Sequence, residues 1–167
     1  MAIRNIREEG DPILKKVSRE VEVIDDRVKE LVEDMFETMH KADGLGLAAV
    51  QVGILKRIVV IDLYDGVSKF VLINPKITEV RGEKIPFEEG CLSFPNQFAK
   101  VERYNEVTVE ALDINGDKIK IEAKEVLAQC IQHECDHLDG IVFKEKMIPG
   151  TLEVITQEDI EKSKEKK

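Results

Sequence analysis

The sequence predicts an α+β fold. Two long helix candidates are separated by runs of β-branched residues, those runs come as hairpin-like pairs, and no strand–helix–strand alternation is present. The 167 residues suit one domain around one core, with a polar tail from about residue 157.

Gly10-Asp11-Pro12 signals a turn that closes a polar opening segment. Asp25 or Asp26 caps the first helix. Val28, Leu31, Val32, Met35, Phe36 and Met39 then recur at helical spacing, which gives it one buried face, and Asp43-Gly44 stops it. Arg57 to Tyr64 is β-branched and mostly apolar, hence a strand, with Asp65-Gly66 as its turn. Phe70 to Ile73 is expected to pair with it and to end at Asn74-Pro75. Val107 to Leu112 alternates like a half-buried strand, and Asn115-Gly116 turns it into Lys118 to Ile121. The second helix is expected from Lys124 to Leu138, closed by Asp139-Gly140. Ile141 to Phe143 reads as a short strand, and a short polar helix is expected after Thr156.

Composition narrows the function. The formal net charge is -9, without the basic stripe expected of a DNA-binding surface. Glu161 to Lys167 holds four lysines, read as a frayed polar terminus or a weak RNA contact. No run of 18 apolar residues exists to span a membrane, and Met1 to Gly10 lacks an apolar leader, which predicts a cytoplasmic protein. Three cysteines, an odd number, argue against a disulfide framework.

The chemistry lies in His133-Glu134-Cys135-Asp136-His137, an HExxH pattern on the second helix. Histidines four apart share a face, so both imidazoles can reach one metal. Glu134 projects about 60° from His137, at the border of that face, where a carboxylate grips a water rather than the metal. HExxH also occurs by chance in acid-rich helices. Here Val126, Leu127, Ile131 and Leu138 make the helix apolar on more than one side, and buried histidines need partners.

A catalytic metal commonly takes three protein ligands and keeps one position open. Cys135 lies about 200° around the helix from His133 and is expected to point into packing. Cys130 lies about 10 Å along the axis from His137, too far to share a metal bound at about 2.3 Å from a thiolate, although it could line the site. Elimination leaves Cys91, with Glu88 or Glu89 as acidic alternatives.

Gly44-Leu45-Gly46-Leu47-Ala48-Ala49-Val50-Gln51 removes side-chain bulk, either for close helix–strand packing or to let backbone lie against a ligand. Gln51 carries a neutral amide, the kind of donor that suits a developing oxyanion.

Gly44 to Gln51, Glu89-Gly90-Cys91-Leu92-Ser93 and Gln132 to Gly140, in this order and spacing, resemble the bacterial type of peptide deformylase. The likeness runs from about Ile6 to Phe143, through Asp34 to Met39, Val71 to Pro75 and Ala111-Leu112. It implies mixed, mostly antiparallel β-sheets around a central helix that carries the histidines. It also implies a metal-dependent hydrolase that removes the formyl group from the N-terminal methionine of new proteins. Cys91, His133 and His137 would hold one divalent metal, ferrous iron in cells, with nickel, cobalt or zinc possible in purified protein. Glu134 would be the acid-base, and Gln51 with the Leu92 N–H would stabilise the oxyanion. Gly44, Leu45, Gly46, Glu89 and Gly90 would meet the peptide in an extended form. Leu45, Leu92, Val126, Cys130 and the stem of Gln129 would surround the methionine side chain. Expected partners are N-formylmethionyl peptides and nascent chains, with weak ribosome association and a monomeric protein. The alternatives are an HExxH metallopeptidase on unformylated peptides and a non-catalytic protein with a structural metal. Phe98 stands where the family often has a basic residue near the cleft mouth, and Gln129 where it often has an apolar one.

Overall fold

A computed structural model describes residues 2–165. A 3-10 turn at Pro12–Lys15 precedes helix α1, Asp26–Lys41, whose N-cap Asp25 accepts from the Val28 N–H at 3.0 Å. Six strands follow the order β1 (Gly46–Ala48), β2 (Ile58–Asp62), β3 (Lys69–Cys91), β4 (Phe94–Leu112), β5 (Lys118–Lys124) and β6 (Glu153–Val154). Helices α2 (Glu125–Leu138) and α3 (Phe143–Lys146) come between β5 and β6, and α4 (Gln157–Glu165) closes the described chain. No helix among the described residues is long and apolar enough to cross a membrane.

The strands form one sheet in the order β1-β2-β3-β4-β5, with β6 on β4. Every pairing between named strands is antiparallel, and among the described residues the one parallel contact is the isolated bridge Arg19–Lys56. Several sheets of mixed sense were expected. One sheet suffices because β3 and β4 are long and their pairing shifts register at four places, and each bulge bends the ribbon. Helix α2 consequently packs against all of β1 to β5.

β2 explains why its sequence is a continuous apolar run rather than an alternating one. Ile58 and Val60 face α1 with Met35, Met39 and Leu47, while Val59 and Ile61 face α2 with Ile131 and Leu138. A strand buried on both faces has no polar side. Arg57, just before β2, donates to the Leu138 carbonyl at 3.1 Å and to Asp139 at 2.9 Å, so a cation closes the C-terminus of α2.

Two expectations are corrected. The strand through Ile73 does not end at Asn74-Pro75. Asn74 takes φ 52° and exchanges side-chain bonds with the Val21 backbone at 2.8 and 2.9 Å, and the chain continues extended to Cys91. The ribbon of residues 76–106 has much of its surface in water, so it lacks the apolar alternation that would announce it. Ile141 to Phe143 is not a strand. Phe143 begins the one-turn helix α3, where the Glu145 carboxylate accepts from the Val142 N–H at 3.3 Å and the Phe143 ring is buried against Phe94. The expected helix after Thr156 is present as exposed α4, and Lys166 and Lys167 of the lysine tail lie outside the described residues.

Candidate metal centre

The site stands where α2, the β3–β4 turn and the β1 segment converge. His133, Glu134 and His137 are all buried in α2. The His133 and His137 rings lie 4.9 Å apart at 71°, edge to face, brought together by the four-residue spacing. Cys91 ends β3, and its Sγ reaches His137 Nε2 at 3.2 Å. One donor atom from each of Cys91, His133 and His137 falls within 4.8 Å of the others, and no other such cluster occurs among the described residues.

One soft sulfur and two imidazoles suit iron, zinc, cobalt or nickel, so the donor set fits a transition metal. The imidazoles are prepared for it. His133 Nδ1 lies 2.8 Å from Glu89 Oε1, which fixes the tautomer and leaves Nε2 free for the metal. Burial, with the charges of His133 and Arg103, holds His137 well below the ordinary histidine range, in the neutral form a metal takes.

Glu89 was expected at the substrate or as an alternative ligand. Its two oxygens are instead taken by the Arg103 guanidinium at 2.8 and 3.0 Å and by His133. Burial pushes its carboxyl up, but the Arg103 and His133 bonds prevail and hold it at about 2. Arg103 also donates to Asp136 at 2.6 Å, and Asp136 takes Lys146 of α3 at 3.0 Å. This buried chain behind His133 was missed in the sequence, although its anionic end, Glu89, stands two residues from Cys91. Nothing local marks Arg103, which lies in the exposed-looking ribbon.

Glu134 is 4% exposed, its Oε1 lies 3.8 Å from His133 Nε2, and its Oε2 has no hydrogen-bond partner. Burial pushes this carboxyl up to about 7, which suits proton exchange near neutral pH. Gly46 makes room for it, because a Cβ there would meet Glu134 Oε1 at 3.1 Å. Gln51 sits in the 3-10 turn Ala49–Val52 and is 1% exposed. The Ala48 N–H donates to its oxygen at 2.9 Å, which turns its amide nitrogen toward Ser93 Oγ at 3.0 Å and Cys91 Sγ at 3.5 Å. The N-terminal segment clamps this arrangement, as the Arg7 N–H donates to the Gln51 carbonyl and the Glu9 N–H to that of Ser93. Leu92 begins the two-residue turn between β3 and β4.

A cleft of about 750 Å³ opens on this centre. Gly44, Leu45 and Gly46 form one wall, Glu88 to Leu92 the other, and Val126, Gln129, Cys130, His133 and Glu134 the floor, with Phe98 at the side. Every residue expected at the site lies there except Gln51 and His137, which are buried behind it. The Gln129 amide donates to the Glu88 carbonyl at 3.2 Å. Burial pushes the thiols of Cys130 and Cys135 up to about 12, so both stay protonated, and Cys135 packs into the core beside α2. Cys135→Ala should therefore keep bound metal and formate release near wild-type levels, with a modest loss of stability. Metal loss measured by elemental analysis would contradict that placement.

Three converging donors that would hold a metal, with a buried carboxylate beside them, define a metal-dependent hydrolase. Comparison with known proteins narrows the class. The polypeptide deformylase family matches residues 3–152, and the chain belongs to it. The peptide deformylase of Acetivibrio thermocellus is 53% identical over 167 residues, all of this chain and 94% of that protein. That of Finegoldia magna is 52% identical over 97% of both. The crystal structure of the Ehrlichia chaffeensis peptide deformylase in complex with actinonin superposes with a TM-score of 0.85 at 41% identity, over 100% of this chain and 99% of that one.

Proposed function

We propose that the cleft hydrolyses the formyl amide on the N-terminal methionine of newly made polypeptides. The chain is an enzyme, a metal-dependent deformylase. The observation that carries this reading is the convergence of Cys91, His133 and His137 within 4.8 Å beside a buried carboxylate oxygen without a partner. One divalent metal, ferrous iron in the cell and nickel, cobalt or zinc as substitutes, would be held by those three residues. When bound, it polarises a carbonyl oxygen and acidifies water.

Glu134 takes the proton of the attacking water at its carboxylate and returns it to the departing amine, so formate and a free N-terminus result. The Gln51 amide nitrogen, aimed by the Ala48 and Ser93 bonds, and the Leu92 N–H donate to the oxyanion that develops on the formyl carbon. An extended peptide lies between β1 and Gly90. The Asp62 N–H bonds the Leu45 carbonyl, so the antiparallel alternation turns both backbone groups of Gly46 to the open edge of β1. Leu45 and Val126, both partly exposed in the cleft, take the methionine side chain with Leu92, Cys130 and the stem of Gln129. The narrow space between Gly90 and the metal ligands favours formyl over larger acyl groups. The setting is the cytoplasm, on nascent chains, with weak ribosome contact through the lysines of α4.

Protein purified without oxygen should release formate from formyl-Met-Ala-Ser. Chelation should abolish the release and ferrous iron restore it. No release from folded, iron-loaded protein, with cleavage of unformylated peptide instead, would replace this reading by a metallopeptidase.

A further inference from the structure

Beyond β2 the chain makes a costly local choice. Tyr64 has φ 58°, a left-handed conformation in which a bulky residue is an outlier. Neighbouring side chains hold it there. Its N–H donates to Asp62 Oδ1 at 2.9 Å, and Asp62 Oδ2 lies 2.8 Å from His40 Nε2. The His40 ring sits between Phe36, at 5.9 Å, and Tyr64, at 5.6 Å. The phenol that results donates to the Gly44 carbonyl at 2.7 Å.

Core packing does not account for this arrangement. Tyr64 is 53% exposed and belongs to none of the three apolar clusters. What the hydroxyl holds is the start of the cleft wall. β1 has three residues, ends the sheet, and among the described residues pairs only with β2, so few backbone bonds fix its position. The wall is tightly bounded on its cleft side. A Cβ on Gly44 would meet Leu92 Cδ1 at 2.6 Å, and one on Gly46 would meet Glu134 at 3.1 Å. A small outward shift of Gly44 would therefore widen the groove in which the peptide lies. Local strain kept in place by surrounding contacts is the pattern expected of a functional constraint.

We propose that Tyr64, braced by Asp62 and His40, is a positioning residue for the peptide part of the substrate, acting through the Gly44 carbonyl on the open edge of β1. This rests on the deformylase reading above. Tyr64 touches neither the metal ligands nor Glu134, so its effect falls on peptide binding rather than on the chemical step.

The test is steady-state formate release by the iron enzyme with two substrates, formyl-Met-Ala-Ser and formyl-methionine. Tyr64→Phe should raise KM for the tripeptide by about 5-fold, the loss of one hydrogen bond, with kcat and metal content unchanged. KM for formyl-methionine should rise clearly less, since of that wall it meets only Leu45. Tyr64→Gly relieves the backbone strain and removes the phenol, so it should show the same KM rise without a fall in Tm. Wild-type KM for the tripeptide in both variants would overturn the proposal. So would an equal KM rise for both substrates, or a rise accompanied by metal loss, since either marks a general structural role. Absence of formate release from the wild-type enzyme would instead overturn the functional reading, and this inference with it.

Discussion

Glu134→Gln is expected to lower kcat by roughly 10²–10⁴-fold while metal content stays at the wild-type level. The two side chains have nearly the same shape, so glutamine fits the space that Gly46 leaves beside it. Cys91, His133 and His137 are untouched, and Glu134 is not among the three converging donors. What is lost is a carboxylate whose burial has raised it to about 7 and whose Oε2 has no hydrogen-bond partner. An amide in that place cannot accept the water's proton. Formate release at saturating substrate, measured beside iron content, separates this from a damaged metal site. A variant that keeps its metal and works near the wild-type rate would show that another group moves the proton.

The second large effect is expected far from the reacting atoms. Arg103→Met should destabilise the fold by about 3–5 kcal/mol and weaken metal binding by about 10–100-fold. Arg103 is 3% exposed and bridges Glu89 and Asp136. Without the guanidinium, Glu89 remains a buried carboxylate whose one remaining side-chain partner is His133. Its charge then either disrupts the interior or draws a proton, and in both cases the His133 ring loses its firm anchor. Denaturant unfolding of the apo protein gives the first quantity, and competition with a chelator the second. The double variant Arg103→Met with Glu89→Gln should recover part of the stability, because it leaves no uncompensated charge beside His133. A single variant of wild-type stability would show that the network contributes little.

The clearest legible feature was the helix of the HExxH pattern, because its residues are neighbours in sequence. Four-residue spacing alone brings His133 and His137 to 4.9 Å and sets Glu134 beside them. Cys91 was found by elimination, since the angular and axial positions of Cys135 and Cys130 on the same helix exclude them. Gln51 was noticed through its glycine- and alanine-rich surroundings. The β2 strand and both long helices were legible because burial leaves a periodic or continuous apolar trace.

The unread parts share a physical cause. The ribbon through residues 76–106 is held by backbone pairing and stands largely in water, so no apolar pattern records it. The partners of Glu89 went unread for a related reason. A charged residue beside a predicted cleft reads as a substrate contact until its counter-ion is seen, and Arg103 comes from the partner strand of the ribbon. Tyr64 carries no signal at all, because its φ and its bond to Gly44 arise only when α1, β2 and the cleft wall meet.

By itself, then, the sequence determined the α+β class and the helix that carries the HExxH pattern, and it singled out Cys91, His133, His137 and Glu134, all from local spacing and side-chain type. Tertiary structure alone decided that one bent antiparallel sheet surrounds the site, that Glu89 bonds both His133 and Arg103, and that the Tyr64 phenol meets the Gly44 carbonyl. Those outcomes depend on bonds between residues 14 to 44 positions apart, and the free energy of such contacts exists only after the chain has closed the loops between them.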